Sequence, residues 1–188
     1  FPTRRSSDLD QWLPGGLDED AKTYLKDFGA ATASNGAVGL YHVENITPEA
    51  VKYGKDLIKE NAQVYVVDDA ELERVYKSYP VIWKKKDATP KLCFMGCPHM
   101  SLNQLSLKKY GKTRVCIPTV FTAAPAVLKK FEETPYAATL KQAGVITSYI
   151  CPLMYMNNPL SEKMPVITSS NKLRTYTSAR YYTDAEIL

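Results

Sequence analysis

Short runs of apolar and β-branched residues recur along this chain, each followed within a few positions by a segment of helical period. That alternation restricts the fold more than any other feature. Val38 to Val43 is an apolar run of strand length, and Thr47-Pro48-Glu49-Ala50 behind it supplies an N-cap threonine, a first-turn proline and an early acid. Gln63 to Val67 repeats the pattern ahead of a helix expected over Asp69 to Tyr76, with Asp68 or Asp69 as its cap. Lys91 to Met95 reads as a third strand, with Leu102, Leu105 and Leu107 on a helix over Ser101 to Lys109. Thr113 to Val120 reads as a fourth, and helices are expected over Ala123 to Glu133 and Tyr136 to Ala143. Val145 to Ile150 and Pro165 to Thr168 are two more strands, and an early helix is expected over Asp18 to Phe28. Strands spaced by helices of this length form βαβ units, so the expected fold is α/β, a mainly parallel sheet flanked by helices.

With 188 residues, 45% of them hydrophobic, the chain can bury a sizeable core without a disulfide framework, and one globular domain is expected. It has neither the long apolar stretch of a membrane span nor the opening of a signal peptide, which gives a cytoplasmic expectation and argues against a membrane. The net charge of +4 is scattered. Its one basic run, Trp83 to Lys86, falls in an expected loop without aromatic interleaving, which argues against a nucleic-acid partner. The opening residues 1–9 lack apolar periodicity and read as a translated sequencing adapter, a non-native leader. Residues 10–188 are then expected to be one α/β region truncated on its N-terminal side, with 79–90 as the linker candidate.

In open α/β sheets, ligands bind beyond the carboxyl ends of the strands. The expected strands put His42 and Thr47, Gly96-Cys97-Pro98-His99, Cys151-Pro152 and Ser169-Ser170-Asn171-Lys172 at that edge. Both histidines and two of the four cysteines therefore share one side, which marks it as a candidate site. In the tetrapeptide at 96, glycine permits an unusual turn and proline stiffens it, so that a thiolate could be held just before a helix, where it is a better ligand or nucleophile. A buried structural cysteine is the competing reading of Cys97, and a core cysteine that of Cys151. Cys93 and Cys116 lie inside apolar runs and read as core residues.

His42 to Ala50, Gly96 to Leu102, Ala143-Gly144 leading to Cys151, and Thr168 to Lys172 with Tyr176 follow one another in an order and spacing that resembles the aconitase X family. The resemblance runs from about residue 25 onward. It implies an aconitase-like catalytic region of a dehydratase that removes water from a small hydroxy acid, hydroxyproline-like or mevalonate-phosphate-like. It further implies an iron–sulfur cluster held by three cysteines, two of them matched by Cys97 and Cys151 and the third expected in a missing N-terminal half, so that the chain alone would be inactive. A small swivelling subunit or domain of the same enzyme is the implied partner. The family usually carries Gly where Asn45 stands, an acid near Gln104, Asp near Tyr149, Asn at Ser169 and often His at Thr175.

Within that reading an open iron position would draw off the hydroxyl group, and a base would take the proton next to the carboxylate. Ser170 is the candidate base, with a plain helix N-cap as its alternative. Lys172 would hold a carboxylate or phosphate, His99 would serve in catalysis, and His42, Thr47 and Ser169 would contact substrate. Two other readings stand beside this one. One is a non-enzymatic module in which Cys97, His99 and Cys151 hold zinc, although the paired spacings of closed zinc sites are absent. The other is a thiol hydrolase with Cys97 as nucleophile and His42 or His99 as its base.

Overall fold

In the computed structural model, residues 18–106, 114–159, 161 and 163–187 are described. The chain opens with α1 (Glu19–Gly36), which Asp18 starts by accepting a hydrogen bond from the Ala21 N–H at 2.7 Å, while Glu19 and Asp20 lie at its positive end. Its alanine-rich second half carries it well past the expected end at Phe28. At its C-terminus Ala37 sits in the left-handed region at φ 54°, donating its N–H to the Thr32 carbonyl. A side chain with a Cβ is strained there, so Ala37→Gly is expected to raise stability by ~1 kcal/mol, read as a higher melting temperature.

After α2 (Pro48–Tyr53), a 3-10 turn (Gly54–Leu57) and α3 (Asp69–Ser78, capped by Asp68) comes the central strand β1 (Leu92–Met100). The remaining elements are α4 (Leu102–Leu105), β2 (Thr119–Ala123), α5 (Pro125–Glu132), α6 (Pro135–Gln142), β3 (Val145–Ser148), α7 (Pro152–Met156), β4 (Val166–Thr168), α8 (Asn171–Tyr176), β5 (Arg180–Tyr181) and α9 (Asp184–Ile187). Proline stands at the start of α2, α5, α6 and α7, where its missing N–H costs nothing. Among the described residues no helix is long and apolar enough to cross a membrane.

The five strands form one all-parallel sheet in the order β3-β2-β1-β4-β5, so the fold is α/β as expected. Parallel strands must be covered on both faces. Along β1, Cys93 and Met95 point into a core with Leu105, Phe121, Phe131 and Leu140, which α4, α5 and α6 supply. Phe94 points the other way, into a second core with Met156, Val166 and Leu173 beneath α7 and α8. Each large side chain buried here stabilises the fold by ~2 kcal/mol.

Two strand expectations are overturned. Residues 38–43 and 63–67 adopt no strand, and Leu40, Val64 and Val66 are 71%, 79% and 73% exposed, because no neighbouring strand among the described residues is there to pair with them. The fourth strand begins later than expected, at Thr119, which leaves Cys116 exposed rather than in the core, whereas Cys93 is buried as expected. Leu107, Lys109 and Thr113, which bound two of the expected elements, lie outside the described residues, as does the expected leader at 1–9. Segment 79–90 carries no helix or strand, but Trp83 within it is buried and donates its indole N–H to the Ser178 carbonyl at 2.8 Å.

Candidate functional site

The chain crosses from β1 to β2 and β3 on one side, then returns to β4 and β5 on the other, so strand order reverses between β1 and β4. A crevice opens at the carboxyl ends of such a strand pair. Here it is a cleft of about 360 Å³, floored by the Gly96–Pro98 bend of β1, walled by Ser169 to Lys172 at the start of α8, and closed by the Tyr24, Asp27 and Phe28 face of α1.

Gly96 makes the bend. Its φ is +105°, and the sheet register with β2 is broken between Met95 and Met100. Thr122 on β2 locks the turn by donating its hydroxyl to the Gly96 carbonyl at 2.6 Å. The Cys97-Pro98 peptide is cis. The bend at Gly96 turns Cys97 into the α7/α8 core rather than leaving it in strict alternation. On the far side of the bend, Ser101 and Gln104 form a capping box for α4. Lys26 from α1 ties this segment down, donating to the His99 carbonyl at 2.6 Å and to Gln104 Oε1 at 2.8 Å.

Ser170 is the N-cap of α8. Its Oγ accepts from the Leu173 N–H at 2.9 Å and donates to the Cys97 carbonyl, which fastens the end of β4 to the bend in β1. Its own N–H goes to Thr168 Oγ1 at 3.0 Å. Cys151, the N-cap residue of α7, packs on the same core as Cys97. Burial, then the Cys151 sulfur, push the Cys97 thiol up to about 11, while Ser170 and the positive charge of Lys172 pull it back. The expectation of a low-pKa thiolate before a helix is therefore corrected, because Cys97 lies inside β1 and loses more to desolvation than its neighbours return. A rank order of reactivity follows for the free chain. At pH 8 the thiolate fraction is ~10⁻³ for Cys97 and ~10⁻⁴ for Cys93, whose thiol burial pushes up to about 12. In alkylation followed by peptide mass spectrometry, the exposed Cys116 is expected to label first and Cys93 last.

Of the residues the sequence singled out, the cleft gathers Cys97, Ser169, Ser170 and Lys172, with Cys151 packed against the Cys97 side chain. Others lie outside it. His99 is not part of the lining, although Pro98 and Met100 on either side are, and its Nε2 is buried without a hydrogen-bond partner among the described residues. His42 and Thr47 lose the strand that was to carry them to the edge. His42 Nδ1 lies 4.0 Å from a Glu49 carboxylate oxygen, and Thr47 Oγ1 turns back to the Val43 backbone, at 3.0 Å from its N–H. The α1 wall was missed. Tyr24, Asp27, Phe28 and Ala31 are spaced as one helix face, which is a readable signal for packing but not for a ligand. Burial raises the Asp27 carboxyl within this wall, against the opposing pull of Lys26 and Gln104.

The donor set suits a soft metal centre only in part. Cys97 and Cys151 are free, adjacent thiols, yet among the described residues no three His, Cys, Asp or Glu side chains converge on one point. The zinc reading through Cys97, His99 and Cys151 thus finds no such group, and a hydrolase finds neither a low-pKa Cys97 nor a histidine in the cleft lining.

Known proteins share the sequence and the fold of this chain. Residues 13–77 match the family described as aconitase X second domain. The phosphomevalonate dehydratase large subunit of Methanosarcina mazei is 31% identical over 160 residues, 82% of this chain and 36% of that protein. That of Thermococcus kodakarensis is 33% identical over 116 residues, 59% of this chain and 28% of that protein. The chain therefore spans about a third of the length of these relatives. A crystal structure described as Thermococcus kodakaraensis aconitase X in its holo-form superposes with a TM-score of 0.67 at 24% identity, over 87% of this chain and 43% of that one, a likeness of fold.

Proposed function

The chain belongs to the aconitase X family, and from that premise we propose that it forms part of the catalytic region of a hydro-lyase that removes water from a small hydroxy acid. The observation that carries this reading is the meeting of two thiols, Cys97 and Cys151, with Ser170 and Lys172 where the strand order reverses. Cys97 and Cys151 would be two thiolate ligands of an iron–sulfur cluster, the third coming from sequence outside this chain. When bound, the cluster would supply a Lewis acid for the departing hydroxyl group. Four free thiols in one chain suit a reducing, cytoplasmic compartment.

The chain's own residues would divide the remaining work. Lys172 has no hydrogen bond or ion pair among the described residues, so its ammonium is available to a carboxylate or phosphate, and Ser169 beside it can donate a hydrogen bond. Ser170 Oγ would exchange the proton, since it already accepts the Leu173 N–H and lies near the Lys172 charge, both of which favour a bound oxyanion. Tyr24 and Phe28 would exclude water from the opposite wall. His99, His42 and Thr47 have no part in this scheme because they stand outside the cleft. The relatives' names point to phosphomevalonate as the type of acid, and the designation large subunit points to a small subunit as the partner.

The test is anaerobic reconstitution with ferrous iron and sulfide of the chain complemented by the rest of a Methanosarcina mazei-type large subunit and its small subunit. A visible absorbance band and spin-resonance signal together with dehydration of phosphomevalonate are expected. Stoichiometric zinc after purification in air, with no iron uptake, would overturn the reading.

A further inference from the structure

The stretch from Val38 to Val67 has the makings of a strand, a helix and a second strand; Val43 and Ala50 are buried and Tyr41 meets Phe28 of α1 edge-on, but most of its other apolar side chains are left uncovered by their described neighbours. Val38-Gly39-Leu40-Tyr41-His42-Val43 and Gln63-Val64-Tyr65-Val66-Val67 are the two strand-like ends, and α2 with its 3-10 turn is the crossover between them. Neither end pairs with a strand among the described residues. Beyond Leu40, Val64 and Val66, the crossover shows Val51 at 64% and Ile58 at 55% exposure. Elsewhere in this chain apolar runs of the same kind lie in a sheet covered on both faces, as β1, β2 and β4 do.

We propose that residues 38–67 are a docking surface for the part of the large-subunit sequence that the relatives carry and this chain does not span. That part would contribute a parallel strand beside Gln63 to Val67 and apolar cover for α2 and both strand-like ends. Two observations choose this occupant over a second copy of the chain. The runs are apolar at successive positions rather than alternating, the pattern of strands buried on both faces within a parallel sheet. A two-fold dimer would instead join like edges antiparallel and leave one face of each wet. The family match over 13–77, described as a second domain, also covers this stretch and stops before β1, in relatives more than twice as long as this chain. The proposal rests on the family membership alone, not on the proposed chemistry, and needs no metal.

The experiment co-expresses the full 188-residue chain with the unaligned portion of the Methanosarcina mazei large subunit, without iron, and reads co-purification and backbone hydrogen exchange. A one-to-one complex is expected, with amides of 38–43 and 63–67 exchanging more slowly by about tenfold or more than in the chain alone. Val64→Asp combined with Val66→Asp should abolish co-purification while leaving the melting temperature of the isolated chain unchanged, because both side chains are already exposed. If the added portion is insoluble by itself, its soluble recovery with the wild-type chain but not with the double variant is the equivalent readout. A concentration-dependent dimer of the chain alone that protects the same amides would overturn the proposal, as would a complex indifferent to the double substitution or no complex at all.

Discussion

Gly96→Ala is expected to lower stability by roughly 4 kcal/mol, a fall in melting temperature of about 8–16 °C for a domain of this size. Two costs add. At φ +105° a residue with a Cβ is strained whatever surrounds it, and a Cβ built there would lie 2.3 Å from the Thr122 carbonyl oxygen and 2.9 Å from its backbone nitrogen. Those atoms belong to the central pair of the sheet and cannot retreat without parting β1 from β2. Gly39→Ala is the matched control. Nothing stands within 4 Å of its Cβ and its backbone needs no left-handed conformation, so its effect should stay within about 0.5 kcal/mol. Thermal melts of both variants decide the matter, and equal effects would show that the bend at 96 is not a constraint.

Cys97→Ala and Cys151→Ala are each expected to abolish the visible absorbance and spin-resonance signal of the reconstituted large subunit, with catalysis falling to background. The cost in stability should be small, roughly 1 kcal/mol for the lost packing of one buried sulfur. Cys93→Ala separates ligation from packing. Cys93 is 1% exposed and Cys97 5%, but Cys93 faces the opposite core, with Phe121 and Leu140, on the far side of the sheet. Its loss should lower the melting temperature and leave the signal intact. A signal that survives Cys97→Ala, or disappears equally with Cys93→Ala, would sink the assignment of the thiol pair.

Local pattern located those elements whose neighbours lie within the described chain. The apolar runs at 91–95, 145–150 and 165–168 became β1, β3 and β4, and the proline-started helices α5 and α6 fell within a residue or two of expectation, whereas α7 was not expected. The two strands that did not form share one physical cause. Val64 and Val66 are as β-branched as any strand residue here, but a strand exists only when something pairs with it, and propensity cannot supply the partner. The continuation of β1 through Gly96-Cys97-Pro98 was illegible for the opposite reason, since glycine and proline read as a loop and only Thr122 from another strand holds them in the sheet. At the site, residues adjacent in sequence at strand ends were found, whereas Asp27 and the α1 wall, set against the cleft from more than sixty residues away, were not.

The reversal of strand order also fixes when the cleft can come into being. Leu92 pairs with Val166, and the wall carrying Ser170 and Lys172 follows β4, so during synthesis from the N-terminus the bend at Gly96 waits, half-built, until β4 and the start of α8 have been made. The Cys97 thiol is made 75 residues before Lys172, which lines the same cleft. Any ion held at this place would be bound only once these distant parts of the chain have met.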